Sequence, residues 1–377
     1  MFVLNRTTFN TLSLNEDWKM TGIGFSLFGD GLQSNPVGSW KTLAMWDKYI
    51  TLDRSITKIR LTVNYPESIF CIIRKYPDWI GFGGTIGEVD FKNQKLKFYQ
   101  MWTSEKTPPD LCKQISIKPN FFQSQEYEVS LGKTDGLTTL TLQNLNTNEF
   151  VTLENDNGLS LESSKYTGKQ IGSPGILFLE GNILIKQFEF ISPISKFPTI
   201  AVLGDSLVEG ESLRGKPNDY DNRWCAKLFE KFGGNVLISG RGGENSSGIL
   251  KRLEVDVGLF KPKIVLLLIG LGDFNYEQFC LNYDAIIEYI LNNKAIPILC
   301  TIPPRPEHSF HFREAVNNKI KSYNLPIIHI DKVLSQNNDG HTVNPLLVED
   351  DLIHPNVLGH QLMYEQLFLD VPQLFFS

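Results

Sequence analysis

Three side chains that together could activate a hydroxyl lie far apart in this sequence. Ser206 sits in Gly204-Asp205-Ser206-Leu207, directly behind the apolar run Thr199-Ile200-Ala201-Val202-Leu203. Asp351 and His354 lie in Asp351-Leu352-Ile353-His354-Pro355-Asn356, near the end of the sequence. A serine hydroxyl is a weak nucleophile until a base takes its proton. A histidine can take it, and a carboxylate can hold and polarise that histidine. Pro355-Asn356 reads as a helix entry, and three residues apart in front of it Asp351 and His354 reach each other locally. The chemistry this points to is acyl transfer through a Ser206 ester. Each piece alone is ordinary, because a Gly-Asp-Ser turn after a strand is common and a histidine before Pro-Asn often caps a helix.

The elements that must position these groups follow from the hydrophobic pattern. After residue 199, apolar strands at 199–203, 235–239, 263–269, 296–302 and 326–330 alternate with helical stretches near 222–232, 245–259, 277–293, 310–322 and 357–368. The run Lys263-Ile264-Val265-Leu266-Leu267-Leu268-Ile269 reads as a central strand buried on both faces. Such alternation implies a doubly wound parallel sheet covered by helices. Sites in such sheets form beyond the C-terminal ends of the strands, where Ser206 and the segment 270–273 fall.

The first half has a different texture. Lys58-Ile59-Arg60-Leu61-Thr62-Val63, Tyr127-Glu128-Val129-Ser130-Leu131, Thr138-Thr139-Leu140-Thr141-Leu142 and Asn182 to Phe190 alternate with period two. Lys133-Thr134-Asp135-Gly136 is a hairpin signal. An all-β sandwich over 1–192 is the expectation, then a proline-interrupted linker at 193–198 and the α/β domain at 199–377. Trp40, Trp46, Tyr76, Trp79, Phe82, Tyr99 and Trp102 are dense enough to stack on sugar faces, but for most of them ordinary sandwich core is the better reading.

The ordered blocks of the second half resemble the SGNH hydrolase family, the GDSL esterases and lipases. Gly204-Asp205-Ser206-Leu207 is similar to its first block and Gly240-Arg241-Gly242-Gly243-Glu244-Asn245 to its second. Gly270-Leu271-Gly272-Asp273 is similar to its third and Asp351 to Asn356 to its fifth. The resemblance covers about 199–370 and implies a flavodoxin-like doubly wound sheet. It implies Ser206 as nucleophile, His354 as base and then acid, and Asp351 as the residue orienting His354. It also implies an oxyanion hole with backbone donors at Ser206 and Gly242. Gly272 stands where the family has an asparagine whose amide completes that hole. Losing one such donor typically costs about 2.7–4 kcal/mol of transition-state stabilisation. Asn245, Asn275, the Gly272 N–H or an ordered water are the substitutes. Asp205 and Asp273 read as braces of their turns. Gly172-Ser173-Pro174-Gly175-Ile176-Leu177-Phe178 with Gly181-Asn182-Ile183 resembles the closing strands of concanavalin-like, jelly-roll sandwiches.

Arg305, in Thr301-Ile302-Pro303-Pro304-Arg305-Pro306-Glu307-His308, overhangs the site on this reading and is a candidate to bind a substrate carboxylate or carbonyl. The competing role is a loop arginine paired with Glu307. His308, His311 and His341 have no acidic neighbours spaced for a metal and read as surface or loop residues. Neither a metal nor an organic cofactor is called for.

Composition narrows the partners. The chain has 377 residues, 41% hydrophobic and 21% charged, with a formal net charge of −6, and no basic stripe with interleaved aromatics. Nucleic acid is therefore not the expected partner. No window approaches the roughly 18 apolar residues of a membrane helix. The opening Met1-Phe2-Val3-Leu4-Asn5-Arg6 lacks a signal peptide's features, so the expected location is cytoplasmic, or extracellular or phage-borne by another route. Five scattered cysteines read as free thiols, with Cys225, Cys280 and Cys300 in apolar stretches. The leading functional expectation is a serine esterase that removes a small acyl group, acetyl foremost, from a carbohydrate. A lipase or thioesterase acting on longer chains is the second reading, and a glycan-binding or adhesin protein with a weakened hydrolase site is the third.

Overall fold

In a computed structural model of the chain, residues 2–8, 18–21, 25–28, 31–34, 43–46, 48, 50, 52, 54–75, 84–101, 110–118, 121, 126–134, 137–155, 173–194, 196–210, 213 and 219–375 are described. The chain divides into two compact units, Met1–Ile50 with Arg54–Pro193, and Thr51–Asp53 with Ile194–Ser377.

The first unit is a sandwich of two antiparallel sheets. One sheet orders its strands Phe150–Asn155, Leu137–Asn144, Glu126–Thr134, Ser55–Val63, Ile183–Ser192, Gly31–Ser34 and Phe25–Phe28, with Phe2–Thr8 also pairing Ile183–Ser192. The other runs Asp110–Ser116, Lys95–Met101, Gly84–Asp90, Ile69–Lys75, Ser173–Glu180, Leu43–Trp46 and Trp18–Thr21. Period-two patterning does what it implies: in Ser55–Val63 every second side chain is buried, and the same holds in Leu137–Asn144. The hairpin signal joins Glu126–Thr134 to Leu137–Asn144, with Thr134 paired to Leu137; Asp135 and Gly136 lie outside the described residues. Of the aromatic candidates, Trp46 is core and Tyr99 half-buried. Trp40, Tyr76, Trp79, Phe82 and Trp102 lie outside the described residues.

In the second unit, β1 (Ile200–Gly204), β2 (Val236–Gly240), β3 (Ile264–Leu268), β4 (Ile296–Cys300) and β5 (Ile327–Ile328) form a parallel sheet in the order β2-β1-β3-β4-β5. This is the flavodoxin-like order, with its switch point between β1 and β3. The helices are α1 (Ser206–Glu209), α2 (Trp224–Lys231), α3 (Ser246–Leu253), α4 (Tyr276–Asn292), α5 (Phe310–Lys321), α6 (Ile330–Val333) and α7 (Val357–Asp370). Val202, Leu266 and Ile298 of the sheet pack with Trp224, Leu228, Met363 and Leu367 of the helices in one buried cluster. The last strand is shorter than its apolar run because the backbone leaves the sheet at His329, whose N–H donates to Asp370 at 2.7 Å. Among the described residues no helix is long and apolar enough to cross a membrane. Cys71, Cys225 and Cys300 are buried and Cys280 is only half-buried, because it lies off the inward stripe of α4 formed by Phe279, Tyr283, Ile286 and Ile290.

A buried ion network ties the strand ends together. The Arg252 side chain of α3 is 0% exposed and bonds Glu244 through Nε at 3.0 Å and Nη2 at 2.8 Å. Its Nη2 also donates to the Gly204 carbonyl at 3.0 Å, and Nη1 to Ser239 Oγ at 2.6 Å and to Asp256. One guanidinium thus joins the end of β1, the end of β2, the following loop and the helix that leaves it. Removing one partner of a buried ion pair typically costs about 3–5 kcal/mol because the other charge stays buried. Arg252→Met should lose stability of that order at neutral pH in urea denaturation. The loss should shrink in acid, where the abandoned carboxylates protonate; a loss under 1 kcal/mol would mean that the network is not structural.

Candidate active site

Ser206 opens the one-turn helix α1 immediately after β1, beside the switch point of the sheet. Asp205 caps this helix, its Oδ1 accepting the Leu207 N–H at 3.0 Å. So short a helix cannot satisfy its own carbonyls, and each has an outside donor. The Gly210 N–H donates to Ser206 at 2.8 Å and the Trp224 indole to Leu207 at 2.9 Å. The Cys225 thiol donates to Val208 at 3.1 Å and Arg223 Nη1 to Glu209 at 3.1 Å. The nucleophile candidate therefore stands on a turn whose four carbonyls are all engaged.

The other two side chains reach it through one loop. Asp351 Oδ1 accepts the N–H groups of Ile353 at 2.9 Å and His354 at 3.0 Å, while Oδ2 lies 2.5 Å from His354 Nδ1. The tight turn puts Leu352 at a left-handed φ of 58°. His354 Nε2 lies 2.8 Å from Ser206 Oγ. With Nδ1–H donating to the carboxylate, Nε2 is the acceptor for the serine proton. Partial burial pulls the Asp351 carboxyl upward. Hydrogen bonds from the His354 ring and from the N–H groups of His354 and Ile353 outweigh it and hold the group below its ordinary value. Asn356 anchors the loop to α7, accepting the Gly359 N–H at 3.0 Å.

The oxyanion side is arranged differently from the sequence expectation. The Gly242 N–H donates to Glu209 Oε2 at 2.5 Å, so Glu209 occupies the donor assigned to the hole. Its neighbour Gly243, at φ 74°, has an N–H that meets no acceptor among the described residues, as do Ser206 and Gly272. The adjacent glycines conceal this in the sequence, since either could carry the role; only the left-handed φ separates them. Gly272 is a glycine for a local reason. A Cβ there would sit 2.2 Å from the Glu244 carbonyl oxygen and 2.8 Å from its carbon. Asp273 holds the two loops at this separation, accepting the Ser246 N–H at 2.9 Å and its hydroxyl at 2.6 Å. Asn245 and Asn275, the two amide substitutes, both act as helix caps. Asn245 Oδ1 accepts from Gly248 at 3.1 Å and Asn275 Oδ1 from Gln278 at 2.9 Å.

Arg305 lies against the third block. Its Nη1 donates to the Leu271 carbonyl at 2.7 Å, its Nε pairs with Glu307 at 2.9 Å, and its Cζ sits 5.2 Å from the centre of the Phe274 ring. His308 is buried rather than exposed, because Phe274 and Phe312 enclose it with ring centroids at 4.9 Å each. That burial, followed by the charges of Arg305 and Arg313, pushes its pKa down to about 4. Burial pushes Asp205 up to about 7 against the Leu207 N–H bond and the charge of His354.

Residues 202–362 match the model of the GDSL-like Lipase/Acylhydrolase family. The second unit is a GDSL-type ester hydrolase domain. Among solved structures, the psychrotrophic esterase EstA from Pseudoalteromonas sp. is 19% identical over 48% of this chain and 100% of its own, with a TM-score of 0.40. A GDSL-like lipase from Bacteroides thetaiotaomicron VPI-5482 is 20% identical over 48% of this chain and 91% of its own, TM-score 0.38. The carbohydrate binding module CBM66 from Bacillus subtilis is 11% identical over 47% of this chain and 96% of its own, TM-score 0.35. The family match, and not these superpositions, carries the assignment. No curated protein shows significant similarity to the chain.

Two outcomes follow for the hydrolase domain. Gly272→Asn should cost about 1–3 kcal/mol through overpacking against the Glu244 carbonyl and should not raise turnover of p-nitrophenyl acetate; a gain in kcat would show that the loop yields. Asp205 keeps its proton to about pH 7 when folded and loses it near pH 4 when unfolded, so the unfolded state binds fewer protons and stability falls as pH rises across that window. Asp205→Asn keeps the Oδ1 cap and should gain stability over the parent at pH 8 and not at pH 4 in urea titrations. Equal differences at both pH values would contradict the raised pKa.

Proposed function

We propose that the hydrolase domain removes a small acyl group, acetyl foremost, from a carbohydrate hydroxyl, with Ser206, His354 and Asp351 as its catalytic triad. The observation that carries this reading is the unbroken path from Asp351 Oδ2 through His354 to Ser206 Oγ, at 2.5 Å and 2.8 Å. Ser206 Oγ attacks the ester carbonyl as its proton passes to His354 Nε2. The carbonyl electron pair moves onto oxygen, faced by the N–H groups of Ser206 and Gly243. On collapse the C–O bond to the sugar breaks and the departing oxygen takes the proton from His354. Water, deprotonated by the same imidazole, then releases the acid and restores Ser206.

Two features support a small acyl group on a polyhydroxylated alcohol. The helix α1 begins almost at once after β1, and seven residues, 269–275, join β3 to α4. Such short connections favour a small acyl group over a long acyl chain. The chain also carries an all-β sandwich unit in addition to the hydrolase domain.

The test is turnover of p-nitrophenyl esters from acetate to octanoate, and of acetylated oligosaccharides. Acetate should be preferred, and Ser206→Ala should lower kcat by about 10⁴-fold or more. A preference for octanoate would move the substrate to longer acyl chains. Failure of a fluorophosphonate probe to label Ser206 in the folded protein would replace the enzyme with a binding module.

A further inference from the structure

We infer that Arg305 is a catalytic residue of the acyl-transfer reaction, its guanidinium donating to the oxyanion from the side where Gly272 has no side chain. The inference rests on the proposed function above and concerns the same site.

The place opposite the backbone donors needs an occupant, because a single lost donor of this kind typically lowers kcat about 10²–10³-fold. Residue 272 cannot provide it, since the Glu244 carbonyl fills the space its side chain would need. The Asn245 and Asn275 side chains are each held as helix caps through the carbonyl oxygen, which leaves their amide N–H groups as the competing donors. Arg305 is the cationic side chain bound to this very turn, through the carbonyl of Leu271, one residue before Gly272.

The arrangement goes beyond bracing a loop. Nε is held by Glu307 and Nη1 by Leu271, and Cζ lies 5.2 Å from the centre of the Phe274 ring. Nη2 meets no protein acceptor among the described residues. The supporting backbone is stiff: Pro303 and Pro304 precede Arg305 and are buried, and Arg313 Nη1 donates to the Arg305 carbonyl at 3.1 Å. The charge of Arg305 is felt at Asp205, the residue before the nucleophile. A donor held in place before the reaction needs little reorganisation in the transition state, and a charged donor forms the stronger hydrogen bond. No bond to Arg305 is made or broken. The electron pair that moves onto the carbonyl oxygen as Ser206 attacks is held beside the guanidinium, and it returns to carbon when the intermediate collapses.

The experiment uses the full chain and p-nitrophenyl acetate, a neutral ester, with Ser206→Ala as reference. Arg305→Met should lower kcat about 10²–10³-fold with KM changed by less than about threefold. Millimolar guanidinium chloride should restore part of that kcat saturably, a response that a purely structural loss would not give. Arg305→Lys should fall between, and Glu307→Gln, which leaves Nε only an uncharged acceptor, should cost less than Arg305→Met. The assignment is overturned if Arg305→Met keeps kcat within about threefold of the parent. It is also overturned if the loss is matched by Glu307→Gln and untouched by guanidinium, or if only KM for carboxylate-bearing esters rises. If instead Ser206→Ala leaves turnover unchanged, the acyl-transfer reading itself fails, whatever Arg305 does.

Discussion

The hydrolase domain is organised around one buried cation. Arg252 has no access to water, so each of its donors must be met by protein, and the groups that meet them are the ends of β1 and β2, the loop after β2 and Asp256 in the helical segment after α3. A guanidinium is suited to this because its planar fork fixes the directions of its bonds as well as their number. The carbonyl it holds on β1 belongs to Gly204, two residues before Ser206. The carboxylate it holds on the second loop belongs to Glu244, whose own carbonyl faces Gly272. The position of Ser206 and the closeness of Gly272 to Glu244 are thus two results of one electrostatic knot. Charges so deeply desolvated tolerate little displacement, and the loops inherit that intolerance.

The consequence is a site that is conventional on one side and altered on the other. The serine, histidine and aspartate are joined by two short hydrogen bonds and stand on a turn whose carbonyls are all engaged. Across from them, backbone has taken the space of a side chain. The exchange is self-consistent: Asp273 clamps the two loops together through Ser246, Glu244 is drawn inward by Arg252, and glycine is what fits at the contact. A change of one residue type at position 272 is therefore the visible end of a rearrangement involving two loops and a helix.

How much of this the sequence displays depends on whether a feature is local. The alternating strands and the β–α alternation are periodic and can be read directly. Ser206 is legible as the end of an apolar run, and Asp351 with His354 as a turn before a helix. The engagement of the Gly242 N–H is not legible, since it depends on Glu209 folding back from α1. Nor is the availability of Gly243, which differs from its neighbour only in backbone conformation. His308 looks like a loop residue because the rings that bury it are distant in sequence or on the next helix. Arg305 shows its pairing with Glu307 two residues on, while its bond to Leu271 spans a separation that no local pattern encodes.

The turn from Asp351 to His354 has a further implication for how the site comes into being. Orientation of the imidazole is settled within three residues, by a carboxylate that also holds the turn's backbone. The contact between His354 and Ser206 spans 148 residues. His354 and Asp351 thus form a self-contained part of the candidate site, set by its own short segment. Only one long-distance meeting remains, the one that brings this turn to Ser206. Two of the three contacts that assemble the candidate site are thus set within one turn, and the third depends on how the whole domain brings that turn to the end of β1.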